Sequence, residues 1–528
     1  MPAIITDQLR ISKAKNFVER FSSEDQSYYV FVGLPNSSEY DSEWNESPPS
    51  PKDSFDDEND YWDTMIALKK IKEEDVKQCI RKIDWESGVT YDMYRHDISR
   101  NNVANATGAT SLYSSNFYVL NNEYKVYICL NNGTTPENPN GRPSLDEPIF
   151  TDLEPRSAGD SGDGYIWKYL FTVNPSDIIR FDSTNFIPVP KNWGIEAQTS
   201  LVKNNATTSG QLKTILIEDR GRNLGPRNRI YTNVPIKGDG TGATAVILVD
   251  NDSKVQSITV SSGGSGYTYG TVDLANSGIP VSGNTLLPSF KVIIPPKGGH
   301  GYDINRELGA YYAMIYSKIE NDTENPDFIV GNEISRIGIV QNPEQYGSDS
   351  ILSLEKASAL NALKLIGIEN TDDFKNARFT ADSLVTQTVG TGITAVGKVI
   401  SYDSNTGVLK YWQDRTLYGF NPDGSKNSSP TYGFELESFT SNPGTGGSLV
   451  IEGGSINLQI DSNYGSNTNP GITTVINNRT YQLGQFFVNG VSVPEVKKNS
   501  GNVVYVDHRP SITRSQNQRE NIKIVLQF

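Results

Sequence analysis

Near the start of the chain, apolar residues fall in two different patterns. Ala14, Phe17, Val18 and Phe21 fall at i, i+3, i+4 and i+7, the spacing of one apolar stripe on a helix, so a short amphipathic helix is expected after a cap at Thr6 or Asp7. Ser27–Leu34, SYYVFVGL, is a short continuous apolar run and reads as a buried strand. Trp62, Met65, Ile66 and Lys69 suggest a further helical turn or two, and Phe117–Leu120 with Lys125–Leu130 predict a hairpin across Asn121-Asn122. Between these elements lies SEYDSEWNESPPSPKDSFDDEND, in which Pro48, Pro49 and Pro51 forbid regular pairing. This stretch is expected to be a solvated loop, although Trp44 and Phe55 within it need something to pack on.

The clearest alternation is DGYIWKYLFTV. Tyr165, Trp167, Tyr169, Phe171 and Val173 point one way, Ile166, Lys168, Leu170 and Thr172 the other, so a strand with one strongly aromatic face follows. From about Ser200 the chain turns to Gly, Thr, Ser and Val. ILIEDRGRNLG from Ile215 is loosely repeated as ITVSSGGSGYT from Ile258, which suggests a small all-β segment built by duplication. LGAYYAMIYSKI and FIVGNEISRIGIVQNP return to a mixed pattern. A helix is expected over Ile351–Ile366, ended by Gly367, and the stretch from about 380 to 500 is strand-like, with a turn at Asp403–Gly407 between VGKVISY and VLKYW. The fold class expected is mainly β, with several domains and few helices.

Composition narrows the function classes. The 528 residues carry a formal charge of −15, which argues against a phosphate-binding surface, so nucleic acid is not an expected partner. Two cysteines, Cys79 and Cys129, are too few for a disulfide framework and suit buried thiols in a reduced compartment, with a single bridge left open. No apolar run is long enough for a signal peptide or a membrane span, so no membrane insertion is expected of a soluble protein made in a cytoplasm.

Three stretches imitate catalytic or ligand-binding motifs. Gly159-Asp160-Ser161-Gly162 spells the residues around a trypsin-like nucleophile, and His96 precedes it in the right order. The chain then runs directly into the aromatic strand, so a Gly-Asp turn is the expected reading. GITAVGK spaces Gly392, Gly397 and Lys398 as in a phosphate-binding loop, but Val399 stands where a Mg²⁺-binding hydroxyl belongs and strand residues follow. Asp56, Glu58 and Asp60, or Asp461, Asn463 and Gly465, lack the remaining ligands of a calcium loop. Only His96, His300 and His508 are available, with no paired spacing for zinc. No enzyme activity, cofactor or metal is expected, although a Ca²⁺ held by loop carbonyls would leave no mark at this level.

The aromatic strand also carries a resemblance. Gly162, Asp163, Gly164, Tyr165, Trp167, Tyr169, Leu170 and Phe171 resemble a signature of the baseplate wedge proteins of the gene product eight family, in contractile-tailed phages of the T-even kind. Further similar residues follow in the same order: Thr6, Arg10, Lys13, Asn16 and Phe17; Pro48, Pro49, Pro51, Asp53 and Ser54 before Trp62; Asp84-Trp85; Gly331, Asn332, Arg336, Ile337, Ile339, Asn342 and Pro343; Gly501, Tyr505, Arg509, Pro510, Ile512 and Gln518. The tracts between, about 200 to 300 and 346 to 500, look like additions, giving an enlarged version similar in composition to tail proteins of marine phages.

The resemblance implies a structural subunit in the tail baseplate of a virion, assembled in the host cytoplasm: a β-sandwich body with short helices in loops, a homodimer, and contacts with other baseplate wedge proteins. The expected organisation is 1–199 as the N-terminal sandwich part, 200–300 as a Gly-rich all-β insert, 301–345 as a return segment, 346–499 as a second Gly-rich insert, and 500–528 as a strand completing the body. Gly164, Tyr165, Trp167, Tyr169 and Phe171 are expected in the core, with Trp44 and Phe55 as candidate interface residues. The alternative is a tail adhesin or carbohydrate-binding protein that uses Tyr267, Tyr269, Tyr411 and Trp412.

Overall fold

The computed structural model describes residues 3–23, 25–35, 43–206, 208–280, 282–320, 333–420, 425–429, 431–432, 436–443, 448–452, 454–515 and 518–528. Ser38 to Ser42 of the acidic loop, and Gly331 and Asn332 of the family-like residues, lie outside them. The fold is mainly β, built of antiparallel sheets with a few short helices. The chain divides into two units: Met1–Val18, Val76–Met314 and Ile524–Phe528 form one, Glu19–Asp75 and Ile315–Lys523 the other.

In the first unit the aromatic strand, Tyr165–Thr172, forms a three-stranded antiparallel sheet with Lys125–Asn132 and Tyr118–Leu120. The Asn121-Asn122 connection is the hairpin its turn residues predict. Both faces of the aromatic strand are covered, because Lys168 and Leu170 are buried as well as Tyr165, Trp167, Tyr169 and Phe171. Lys168 is tolerated there because its Nζ donates to Leu153 O (2.6 Å) and Asn205 Oδ1 (2.9 Å); burial nevertheless lowers its pKa to about 8. The Gly-rich tract of this unit folds around its own core. Ala243, Ala245, Ile247 and Val249 alternate inward along Thr241–Val249, the middle of a four-stranded sheet. The two repeat copies lie in different sheets: Thr214–Asp219 pairs with Ser289–Ile293, and Val255–Ser265 pairs with Thr241–Val249.

The second unit contains a five-stranded sheet in the order Lys356–Ser358, Met65–Lys70, Tyr28–Gly33, Glu333–Gln341, Asn502–Thr513. A larger sheet in the same unit holds Leu384–Gly390, Ile393–Asp403, Val408–Trp412 and Asn361–Gly367 as neighbours. Two helix expectations are corrected here. The helix carrying Trp62 spans Phe55–Thr64, and Met65–Lys70 is a strand paired with Tyr28–Gly33. The segment Ile351–Ile366 contains no helix; Lys356–Ser358 pairs with Met65–Lys70, and Asn361–Gly367 pairs with Val408–Trp412. Its Leu, Ala and Lys residues favour a helix locally, but pairing sets Leu363 opposite Leu409 and both are fully buried in one core.

The described part of the acidic stretch, from Glu43 on, is also more ordered than a solvated loop. Ser54 caps the helix by accepting from Asp57 N (3.2 Å), while Asp56, Asp57 and Glu58 occupy the first turn, where the helix dipole favours negative charge.

Candidate functional site

The loop that imitates a protease is a turn fixed by carboxylates. Asp146 Oδ2 accepts from Ser161 N (3.0 Å), and hydrogen bonds from the Ser161 side chain and backbone hold the Asp146 carboxyl below its ordinary range. Asp163 accepts from Leu145 N (2.9 Å) and from Tyr165 N (2.9 Å), which sets the first residue of the aromatic strand. The histidines are engaged elsewhere. His96 Nδ1 accepts from Ile294 N (3.2 Å), and burial lowers its pKa. His300 Nδ1 lies 2.6 Å from Glu307 Oε1, whose other oxygen accepts from Gly301 N (2.6 Å). His508 belongs to the second unit.

The phosphate-loop imitation is extended backbone. Gly397 and Lys398 sit inside the strand Ile393–Asp403, opposite Val385 and Leu384, so no helix N-terminus faces a ligand there. Among the described residues no group of three His, Cys, Asp or Glu side chains could hold a metal ion, and no helix is long and apolar enough to cross a membrane. Cys79 and Cys129 are buried free thiols; burial is the main cause that pushes both thiols up.

The most elaborate polar cluster lies in the second unit, at the edge of the five-stranded sheet. Arg336 points inward from Glu333–Gln341 and is 2% exposed. Its Nε donates to His508 Nε2 (3.2 Å), and its Nη1 donates to Leu34 O (3.4 Å) and to Thr64 Oγ1. The guanidinium lies 4.9 Å from the Trp44 ring centroid and 5.6 Å from that of Tyr61, a cation–π arrangement strengthened by exclusion of water. Trp44 itself is 2% exposed, and its Nε1 donates to Arg509 O (3.0 Å). Trp44 is thus packed within its own chain, and its ring offers no surface to a partner. Phe55, at the start of the acidic helix, is 88% exposed. The four aromatics suggested for glycan binding divide unequally: Tyr267, Tyr411 and Trp412 are buried, and only Tyr269 is open to solvent.

Residues 3–153 match the family described as Bacteriophage T4, Gp8. The chain is also similar to the "Baseplate wedge protein gp8" of Enterobacteria phage T4, with 26% identity over 230 residues, 37% of this chain and 65% of that protein. It therefore spans 65% of the length of this curated relative. The matched residues include Trp44, the proline run, Phe55, Trp62 and Asp84-Trp85, whereas the aromatic strand lies beyond residue 153.

Sequence reasoning missed Arg336 and His508 as partners. The available signal was a lone Arg in SRIGIVQ, on the strand face it shares with Gly338 and Val340, where a charge requires buried partners.

Proposed function

We propose that this chain is a structural subunit of the baseplate wedge of a contractile phage tail, an enlarged relative of the T4 protein. The observation that carries the reading is the similarity of residues 3–153 to the Gp8 family, joined by the relationship to the T4 baseplate wedge protein. The reading involves no catalytic step. In it, the chain sits in the baseplate of the virion, links peripheral wedge proteins to the inner baseplate, and relays the change that triggers sheath contraction. It pairs as a homodimer, and a β-sandwich body carries the tracts 200–300 and 346–499 as additions. Immunogold electron microscopy of virions from a lysate carrying this chain tests the placement. Gold at the baseplate periphery is expected; labelled fibre tips or unlabelled virions would overturn the reading.

The contact with neighbouring wedge proteins is expected to use Phe55. An exposed aromatic on an ordered helix adds nothing to folding and presents apolar area to a partner, where hot-spot aromatics contribute about 2 kcal/mol or more. Phe55→Ser should therefore change stability by less than about 0.5 kcal/mol while weakening assembly with purified wedge neighbours at least tenfold, as expected from a hot spot of about 2 kcal/mol. Assembly that proceeds unchanged in extent and rate removes Phe55 from the interface. The burial of Tyr267, Tyr411 and Trp412 weighs against the adhesin reading.

A further inference from the structure

The strand Asn502–Thr513 stands at the end of its five-stranded sheet, and an edge of this kind exposes backbone groups to any extended chain that meets it. In its second half two of those groups, Arg509 O and Ser511 N, are occupied by a segment that is not a strand, and the His508 side chain of the same strand holds a third point. Trp44 Nε1 donates to Arg509 O (3.0 Å), Asn45 Oδ1 accepts from Ser511 N (3.1 Å), and Pro49 O accepts from His508 Nδ1 (2.8 Å). Pro48, Pro49 and Pro51 have no N–H to offer a ladder, so side chains rather than a backbone ladder fasten the segment: Trp44, Asn45 and His508 by hydrogen bonds, and Arg336 against the Trp44 ring.

The imidazole is the part that can change. Its Nδ1 faces a carbonyl and must carry the hydrogen; its Nε2 faces the Arg336 N–H and must be bare. Only the neutral ring can hold both contacts at once, because the Nδ1 hydrogen bond to Pro49 O survives protonation but the Nε2 contact with Arg336 does not, so a charged ring is driven from the position in which it reaches Pro49. A second proton would have to sit on Nε2, where it would meet an N–H of a buried guanidinium. The remaining groups around the ring are Trp44, 4.8 Å between centroids, Tyr61, edge-on at 5.7 Å, Asp507 on the same strand, and Asp57 on the helix Phe55–Thr64. Arg509 pairs with Asp507 at 2.6 Å.

We propose that the segment Trp44–Pro51 is a strap closing this strand edge, locked while His508 is neutral and released when His508 takes up a proton. Burial first, and Arg336 second, hold the His508 pKa below its ordinary value; the Pro49 carbonyl, Asp507 and Asp57 pull the other way without reversing the direction. Since the folded ring binds its proton less tightly than the unfolded one, the contact stabilises fully above the ordinary imidazole range. That stability is lost as pH falls through the lower folded value.

Hydrogen exchange of the whole chain tests the strap, with rates corrected for the intrinsic effect of pH. Between about pH 7.5 and about pH 5, either side of the ordinary imidazole range, peptides covering 43–51 and 508–513 should lose protection by about tenfold, the scale of one charge interaction near a protein surface. The peptide covering Tyr165–Phe171 should keep its protection. His508→Asn retains a donor toward Pro49 O but cannot be protonated, so the pH step should vanish. Asn45→Ala should raise exchange at Ser511 already at the higher pH, which establishes that this amide reports the strap. Unchanged protection in the wild-type protein, the same step in His508→Asn, or loss spread equally to Tyr165–Phe171 would overturn the proposal. Should His508→Asn fail to fold, the wild-type comparison of 508–513 with Tyr165–Phe171 decides alone.

Discussion

Trp167→Ala is expected to destabilise the first unit by about 3–5 kcal/mol, the range for removing a fully buried large aromatic. The indole is 0% exposed, lies parallel to Tyr165 at 5.2 Å and meets the edge of Tyr91 at 6.0 Å. Its backbone exchanges hydrogen bonds with Arg156, in both directions, and it stands opposite Cys129 in the sheet. Truncation therefore leaves a cavity walled by residues that the strand pairing holds in place, so collapse recovers little. The indole Nε1 is buried without a hydrogen-bond partner in the structure, so Trp167→Phe removes an unsatisfied donor together with some packing and should cost clearly less than Ala. Opening free energies from hydrogen exchange in the neighbouring strand Lys125–Asn132 report the effect locally, which suits a chain of two units better than one global midpoint. A loss below about 1 kcal/mol for Ala would mean that Trp167 is not a core anchor.

The readability of the chain followed the strength of local signals. The helix Asp7–Arg20 and the aromatic strand carry a sustained period, the strand Tyr28–Gly33 a continuous apolar run, and the hairpin at Asn121-Asn122 its turn residues. The turn between Ile393–Asp403 and Val408–Trp412 was legible for the same reason. Where propensity and tertiary pairing disagree, the pattern misleads: Ile351–Ile366 has helix-forming composition, and its strands exist because Met65–Lys70 and Val408–Trp412 offer edges to pair with. The helix Phe55–Thr64 is a different failure. Ser54 with Asp57 three residues on, followed by acidic first-turn residues, is an N-terminal signature that the abundance of charge concealed.

Sites were harder to read than elements, since a site joins residues far apart in sequence. His508, Arg336, Trp44 and Pro49 come together through sheet order, which no spacing along the chain encodes. A Trp within a proline-rich acidic stretch needs something to pack on, but the partner of Trp44, a buried guanidinium, comes from a strand of the other half of the sequence. The imitated protease and phosphate loops could be set aside from sequence because each motif requires a following element that the chain does not supply.

Gly164→Ala is expected to destabilise by about 2–6 kcal/mol, from backbone strain of about 1–3 kcal/mol and a steric clash of similar size. Gly164 has φ +88°, a left-handed conformation that side chains disfavour, and an added Cβ would lie 2.8 Å from Gly133 Cα. Backbone meets backbone there, so no side-chain rotation relieves the contact. Gly133 is itself at φ +74°, with its own added Cβ 2.5 Å from Asp163 O. The two glycines lie beside the end of the pairing between Lys125–Asn132 and Tyr165–Thr172, next to Asn132 opposite Tyr165. Pushing them apart disturbs the Asp163 carboxylate that accepts from Tyr165 N and Leu145 N. Gly162 supplies the control: its φ is +69°, yet an added Cβ meets nothing within 4 Å. Gly162→Ala should thus carry strain alone, about 1 kcal/mol or somewhat more, and the difference between the two variants measures the close approach. Equal losses in the exchange free energy of Lys125–Asn132 would show that conformation alone selects glycine in this turn. A larger loss at Gly164 means that the turn is built to let two strands touch backbone to backbone, which is what places Tyr165 and Trp167 in the core.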